Sequence, residues 1–323
     1  MEGGTAVKIG RNLIQLVILC LLGVSVALTL VLPELPGIES RRRTLEISVL
    51  IREADTALWS NARLGMEQAA VDLGAELRFL PLAQDNDYAS QAALLQREAK
   101  GGADAVIVVP ADPEGLAAFL EEQSIELPVV TMESPMPGGR ACFTPENGEM
   151  GRALAGAFLE DRRGERVLLL DTASRSTGVA QRLQACLQTL REAGVPFEVQ
   201  KAEAQSLQRD LPGLLGQTGA GAVIAFDYAA TEALASVAQE LPEQPLLYGV
   251  GATGAIAACL EKGTIAAAAA WSDYAAGYSS VQEAARRSRG ERSLNTPQLG
   301  FRIVRGENLY EPDNQKLFFP VMY

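Results

Sequence analysis

The run AVIVV at residues 105–109 is apolar at every position, with no polar residue in alternation. Successive side chains of a strand point to opposite faces, so a run of this kind is stable only where both faces are covered. A parallel sheet sandwiched between helices provides that cover. ERVLLLD (165–171), AGAVIAFD (220–227) and IAAAAAWS (265–272) extend the series of buried strands along the chain.

Between the strands lie segments with helical signals, at the spacing of βαβ units. TLEISVLI (44–51) reads as a strand and SNARLGMEQAAVDLG (60–74) as a helix stopped by Gly74. AELRFLPL (75–82) and LPVVTME (127–133) read as strands, and DYASQAALLQREAKGG (87–102) as a helix. DPEGLAAFLEEQSI (112–125) is a helix opened by Asp112 and Pro113. A second series begins with the helix NGEMGRALAGAFLEDRRG (147–164) and continues with the same alternation to residue 272. The expected fold is therefore α/β, with two similar doubly wound parallel-sheet halves whose strand ends face polar and aromatic loops.

The 323 residues are 48% hydrophobic and 21% charged, which suits ordinary globular cores. A net charge of −12 with scattered Lys and Arg argues against a nucleic-acid partner, because no phosphate-neutralising stripe is present. The chain has no histidine, which removes imidazole general-base chemistry, Ser-His-Asp and Cys-His arrangements and most zinc sites. No metal or cofactor is implied. Cys20, Cys142, Cys186 and Cys259 have no C-x-x-C spacing and read as free thiols, leaving the redox compartment open.

Residues 13–32, LIQLVILCLLGVSVALTLVL, carry no charge over 20 positions and stop at Pro33. That length crosses a bilayer as a helix. Cys20 follows Leu19 rather than a small residue, and no A-x-A cleavage site comes after the run, so an uncleaved anchor or signal is expected. Residues 1–12 would then be cytoplasmic and 33–44 a linker. Arg41, Arg42 and Arg43 compete with Lys8 and Arg11 for the cytoplasmic side, so charge alone does not orient the span.

From about Leu45 to Tyr310 the chain resembles the sugar-binding proteins of the periplasmic-binding-protein type I family, whose domain is shared with lactose-repressor-type regulators. The segments that carry the resemblance, in order, are VLIREADTALWSNARLGMEQAA, GGADAVIVVPADPEGL, LPVVTMESP, TPENGEMGRALAGAFL, AVIAFDYAATEALASV, YGVGATGAIAACLEKGTIAAAAAWSDYAAGY and FRIVRGENLY. The resemblance implies two lobes, 45–143 plus 272–297 and 144–271 plus 298–323. Three hinge crossings join them near 144–147, 270–273 and 298–301, with a ligand held between.

The resemblance also implies site residues. Family members place aromatic residues in the turn after the first strand to stack on a sugar face, and Trp59 stands there, with Asp55 earlier in the same turn. The family's Asp-Arg pair after the fourth strand is replaced by Glu133 and Ser134, which keeps an acceptor and loses the arginine fork. Asn147 matches a hinge-side Asn or Asp, or equally caps the helix that starts there. Arg182 is the nearest counterpart of the family's second-lobe arginine, with Arg175 and Ala180 as alternatives. Asp227 is the firmest match; of its neighbours Phe226 and Tyr228 at most one should face the cleft. Gly251 stands where the family has an Asp, and Trp271 where it has a Gln, followed by Asp273. These changes imply a cleft less polar than a ribose site.

The function implied is a membrane-tethered extracytoplasmic receptor that closes on a small polar ligand, a sugar in the first instance. Its partner would be an ABC transporter permease or a membrane sensor kinase. A transcription regulator is disfavoured because the first 44 residues hold an apolar span in place of a helix-turn-helix. An enzyme is disfavoured by the missing histidine, phosphate loop and metal spacing. A degenerate scaffold without a small ligand, acting through protein contacts, remains the competing expectation.

Overall fold

The computed structural model describes residues 19–26, 44–292 and 298–320. Met1–Thr44 and Leu45–Tyr323 are separate compact units. In the first, residues 19–26 form helix α1; the rest of the expected span over 13–32 lies outside the described residues. Among the described residues no helix is long and apolar enough to cross a membrane.

The second unit contains two sheets. In the first, β1 (Leu45–Leu50), β2 (Ala75–Leu80), β3 (Ala105–Val108), β4 (Val129–Met132) and β5 (Cys142–Phe143) are parallel, in the order β2-β1-β3-β4-β5. In the second, β6 (Arg166–Asp171), β7 (Phe197–Lys201), β8 (Ala220–Ala225), β9 (Leu246–Val250) and β10 (Ala267–Trp271) repeat that order, and β11 (Phe301–Val304) adds an antiparallel edge to β10. The apolar runs read from the sequence are the central strands, β3 and β8 among them, buried at nearly every position. This is the two-lobe α/β architecture expected.

Helices α2 (Ser60–Leu73), α3 (Tyr88–Gly101) and α4 (Pro113–Glu122) follow the strands of the first sheet. Asp87 and Asp112 cap α3 and α4 by accepting from Ser90 N and Gly115 N. The second sheet is served by α5 (Asn147–Asp161), α6 (Thr177–Glu192), α7 (Leu207–Thr218), α8 (Tyr228–Ala238) and α9 (Gly254–Glu261), and α11 (Pro312–Phe318) packs on β10. Helix α10 (Asp273–Ser288) leaves the end of β10 and returns to the first lobe, lying along α2. Two glycines make that seam: an ideal Cβ on Gly65 would stand 2.0 Å from Tyr274 O, and one on Gly277 would stand 2.1 Å from Ala62 O. The helices therefore touch backbone to backbone.

Between the lobes, Leu299 N donates to Thr144 O at 3.1 Å and residues 145 and 299 form a parallel bridge, so two of the strand-to-strand passages support each other. The apolar core runs through this region without a break, from Ile47 and Trp59 to Tyr228 and Trp271.

Candidate ligand site between the lobes

The carboxyl ends of β1 and β4 in one lobe face those of β6, β8 and β10 in the other, the position at which parallel sheets present ligand groups. Charge collects there. Glu133, directly after β4, is fully buried and held at φ 65, a left-handed conformation that costs a non-glycine residue about 1 kcal/mol or more. Its carbonyl accepts from Thr144 Oγ1 at 2.6 Å and Asn147 Nδ2 at 3.1 Å, which fixes the turn.

That conformation presents the Glu133 carboxylate to two guanidiniums. Arg52, at the end of β1, donates from Nε and Nη2 to the two oxygens at 3.2 Å each. Arg182, on α6 of the opposite lobe, donates from Nη1 to Oε1 at 3.0 Å and to Phe226 O at 2.9 Å, while its Nε donates to Asn147 Oδ1 at 2.7 Å. Arg182 Nη2 has no partner although the residue is fully buried. Glu53 Oε1 lies 2.9 Å from Arg52 Nη2 without an aligned hydrogen bond. Burial pushes the Glu53 carboxyl up to about 7, against the pull of Arg52 and with the push of Glu133 and Asp227.

The aromatic half of the site starts at Trp59, 3% exposed, whose indole Nε1 donates to Glu53 Oε2 at 2.8 Å. Its face is covered by the ring of Tyr228 from the other lobe, with centroids 5.1 Å apart and planes 20° from parallel. The Tyr228 hydroxyl donates to Asp273 Oδ1 at 2.6 Å and accepts from Trp271 Nε1. Burial pushes Asp273 up to about 7, partly countered by the Tyr228 hydrogen bond. Asp227 caps α8 through Ala230 N at 2.8 Å and accepts from Thr172 Oγ1.

Of the residues expected from the sequence, Trp59, Glu133, Asn147, Arg182, Asp227, Trp271 and Asp273 are buried in this region. Ser134 is buried beside it, sharing a 2.7 Å hydrogen bond with Ser176 and accepting from Gly178 N. Asp55 is exposed and accepts from Ala57 N, capping the short 3-10 turn Thr56–Trp59. Arg175 is a surface residue paired with Asp112 at 3.4 Å, so Arg182 is the arginine that reaches the cleft. Tyr228 faces the cleft, whereas Phe226 contributes its carbonyl.

Arg52 and Glu53 were not singled out by sequence reasoning. The available signal was their position: a charged pair that directly follows the buried apolar run Val49, Leu50 and Ile51 must be compensated from elsewhere in the fold. They also make this region more highly charged than the substitutions at 134, 251 and 271 imply.

Two carboxyls raised to about 7 give the closed arrangement a pH dependence. An acid whose value is raised on burial stabilises the buried state below its ordinary range and loses that contribution as pH rises through the raised value. Glu53 faces Arg52, Glu133, Asp227 and Trp59; Asp273 faces Tyr228, Glu133 and Arg182. Closure should weaken between about pH 5 and 7, by up to tenfold per pH unit for each group, and level off above. Acrylamide quenching of tryptophan fluorescence measured from pH 5 to 8.5 checks this; a flat profile contradicts it.

Residues 47–292 match the sequence model of the periplasmic binding protein domain. A search of curated proteins returns no match. Among solved structures, the chain is similar to an ABC transporter solute binding protein from Agrobacterium vitis with bound D-fucose (16% identity, TM-score 0.77, covering 85% of this chain and 100% of that one). A second Agrobacterium vitis solute binding protein, bound with alpha-D-tagatopyranose, gives 18% identity and a TM-score of 0.75 over 86% of this chain and 100% of its own. The Caulobacter myo-inositol binding protein gives 21% identity and 0.69 over 84% and 97%. With more than half of its length matched and the two-lobe architecture in place, the chain belongs to the periplasmic binding protein domain family.

Proposed function

We propose that the protein is an extracytoplasmic solute receptor, not an enzyme, that takes a small polar ligand, a sugar in the first instance, between its lobes and signals by hinge closure. The observation that carries this reading is the convergence of buried charged and aromatic groups from both lobes, Arg52, Glu53, Trp59 and Glu133 against Arg182, Asp227, Tyr228 and Trp271. A core requires no such concentration of charge, since burying ions is costly unless they are paired. A ligand that bridges both lobes stabilises the closed state by its differential affinity for it. The sugars bound by the Agrobacterium and Caulobacter proteins support the ligand class.

The uncharged run 13–32 supports tethering to a membrane, and the side chains of Leu19, Leu21, Leu22 and Val24 on α1 are all more than half exposed. A tethered receptor beside a permease or a sensor kinase needs no diffusion to report closure. A second reading, a scaffold that works through protein contacts without a small ligand, is favoured by one observation: the buried groups already pair with one another.

A thermal-shift screen of the full chain against monosaccharides, polyols, nucleosides and amino acids separates the two. A ligand at a hundred times its Kd adds about 2.7 kcal/mol, or several degrees in Tm. A flat response across the panel favours the scaffold.

A further inference from the structure

We infer that Tyr228 is a built-in occupant of the interlobe site, so that its stacking on Trp59 and the binding of a ring-shaped ligand there are mutually exclusive. The inference rests on the reading of the cleft as the ligand site. Tyr228 belongs to one lobe yet reaches across the gap, its ring flat on Trp59 at 5.1 Å and its hydroxyl donating to Asp273 at the head of α10. The Trp271 indole completes the hydroxyl's bonding, so the phenol is stacked on one face and its hydroxyl both donates and accepts. An aromatic face paired with directed polar contacts at the far edge is how a protein holds a ring ligand.

The space for the ring is prepared from behind. Gly251, at φ 137, has no Cβ, and an ideal one would stand 3.3 Å from Tyr228 Cδ1 and 2.5 Å from Ile256 Cδ1. The glycine that replaces the family's Asp therefore leaves room for the tyrosine. The opposite lobes also meet tightly at Glu133, where a Cβ on Gly178 would lie 2.6 Å from Glu133 O. The fully buried ring leaves Trp59 no free face toward the other lobe.

This assigns Tyr228 a sign opposite to that of a contact residue. Removing a contact weakens binding; removing a competitor strengthens it. The chain has two tryptophans, Trp59 and Trp271, and both touch Tyr228, so intrinsic fluorescence reports on it directly.

The test compares full-chain wild type, Tyr228→Ala and Tyr228→Phe by acrylamide quenching without ligand and by titration calorimetry with D-galactose, D-arabinose and myo-inositol. Wild type should be weakly quenched, Tyr228→Phe should match it because the ring is kept, and Tyr228→Ala should be quenched several-fold more. For whichever probe binds, Tyr228→Ala should bind at least tenfold tighter than wild type. Weaker binding by Tyr228→Ala, or tryptophans already exposed in wild type, overturns the inference. If no probe binds either protein, the sugar reading fails and the inference falls with it, whereas weaker binding by Tyr228→Ala overturns the inference alone. If Tyr228→Ala does not melt cooperatively, Tyr228→Leu, which removes the ring but keeps apolar volume, takes its place.

Discussion

Replacing Glu133 by Gln should open the two lobes and leave each of them folded. The carboxylate is shared by Arg52 and Arg182, one from each lobe, and all three side chains are at most 1% exposed. Removing one member of a buried ion-pair network costs about 3–5 kcal/mol, because the remaining charges stay out of water without compensation. In a single packed core that cost falls on the fold. Here the guanidiniums can be rehydrated by separation of the lobes, so the penalty falls on closure and shifts the open-to-closed ratio by about a hundredfold or more. Arg182 would keep Asn147 and Phe226, and Arg52 would keep Glu53, so neither lobe loses all of its internal partners. The expected readout is strong acrylamide quenching of both tryptophans with a Tm lowered by less than about 5 °C. The full cost charged to the fold would instead lower Tm by about 6–20 °C, at roughly 2–4 °C per kcal/mol. Tryptophans that stay buried while Tm falls that far would show the network to be a core and not a gate.

The same distinction, between what is local and what closes over distance, explains how much of the protein could be read from its sequence. Strands such as β3 and β8 were legible because their apolar runs require cover on both faces, and α4 because Asp112 and Pro113 mark its start. Strand β5 was not, since two residues, Cys142 and Phe143, are too few to display a pattern. In the site, Trp59 and Asp227 stood out through their turn and strand-end positions. Arg52 and Glu53 did not, because the contact that makes Arg52 a cleft residue is with Glu133, 81 positions away. For Tyr228 and Phe226 the neighbours alternate in direction, and only the partner lobe decides which one faces the cleft.

The seam between α2 and α10 carries the other large effect. Gly277→Ala should lower stability by about 3 kcal/mol or more, even though alanine is the better helix former by about 1 kcal/mol. The new methyl group would sit 2.1 Å from Ala62 O, a backbone atom that cannot rotate away, so the helices must part by more than an ångström along a contact that Gly65 makes in the reverse sense. Overpacking of this kind costs about 1–3 kcal/mol in a core that can adjust, and here separation also uncovers Met66, Ala69 and Val281. Gly156→Ala in α5 is the control, since nothing lies within 4 Å of its ideal Cβ. There the propensity gain should stand alone and raise Tm by about 2–4 °C, against a fall of about 6–12 °C for Gly277→Ala in the same melting experiment. The seam also matters for the cleft: α10 begins at Asp273, which holds the Tyr228 hydroxyl, so a displaced α10 withdraws that anchor. Gly277→Ala should accordingly increase acrylamide quenching at temperatures well below its Tm, whereas Gly156→Ala should not.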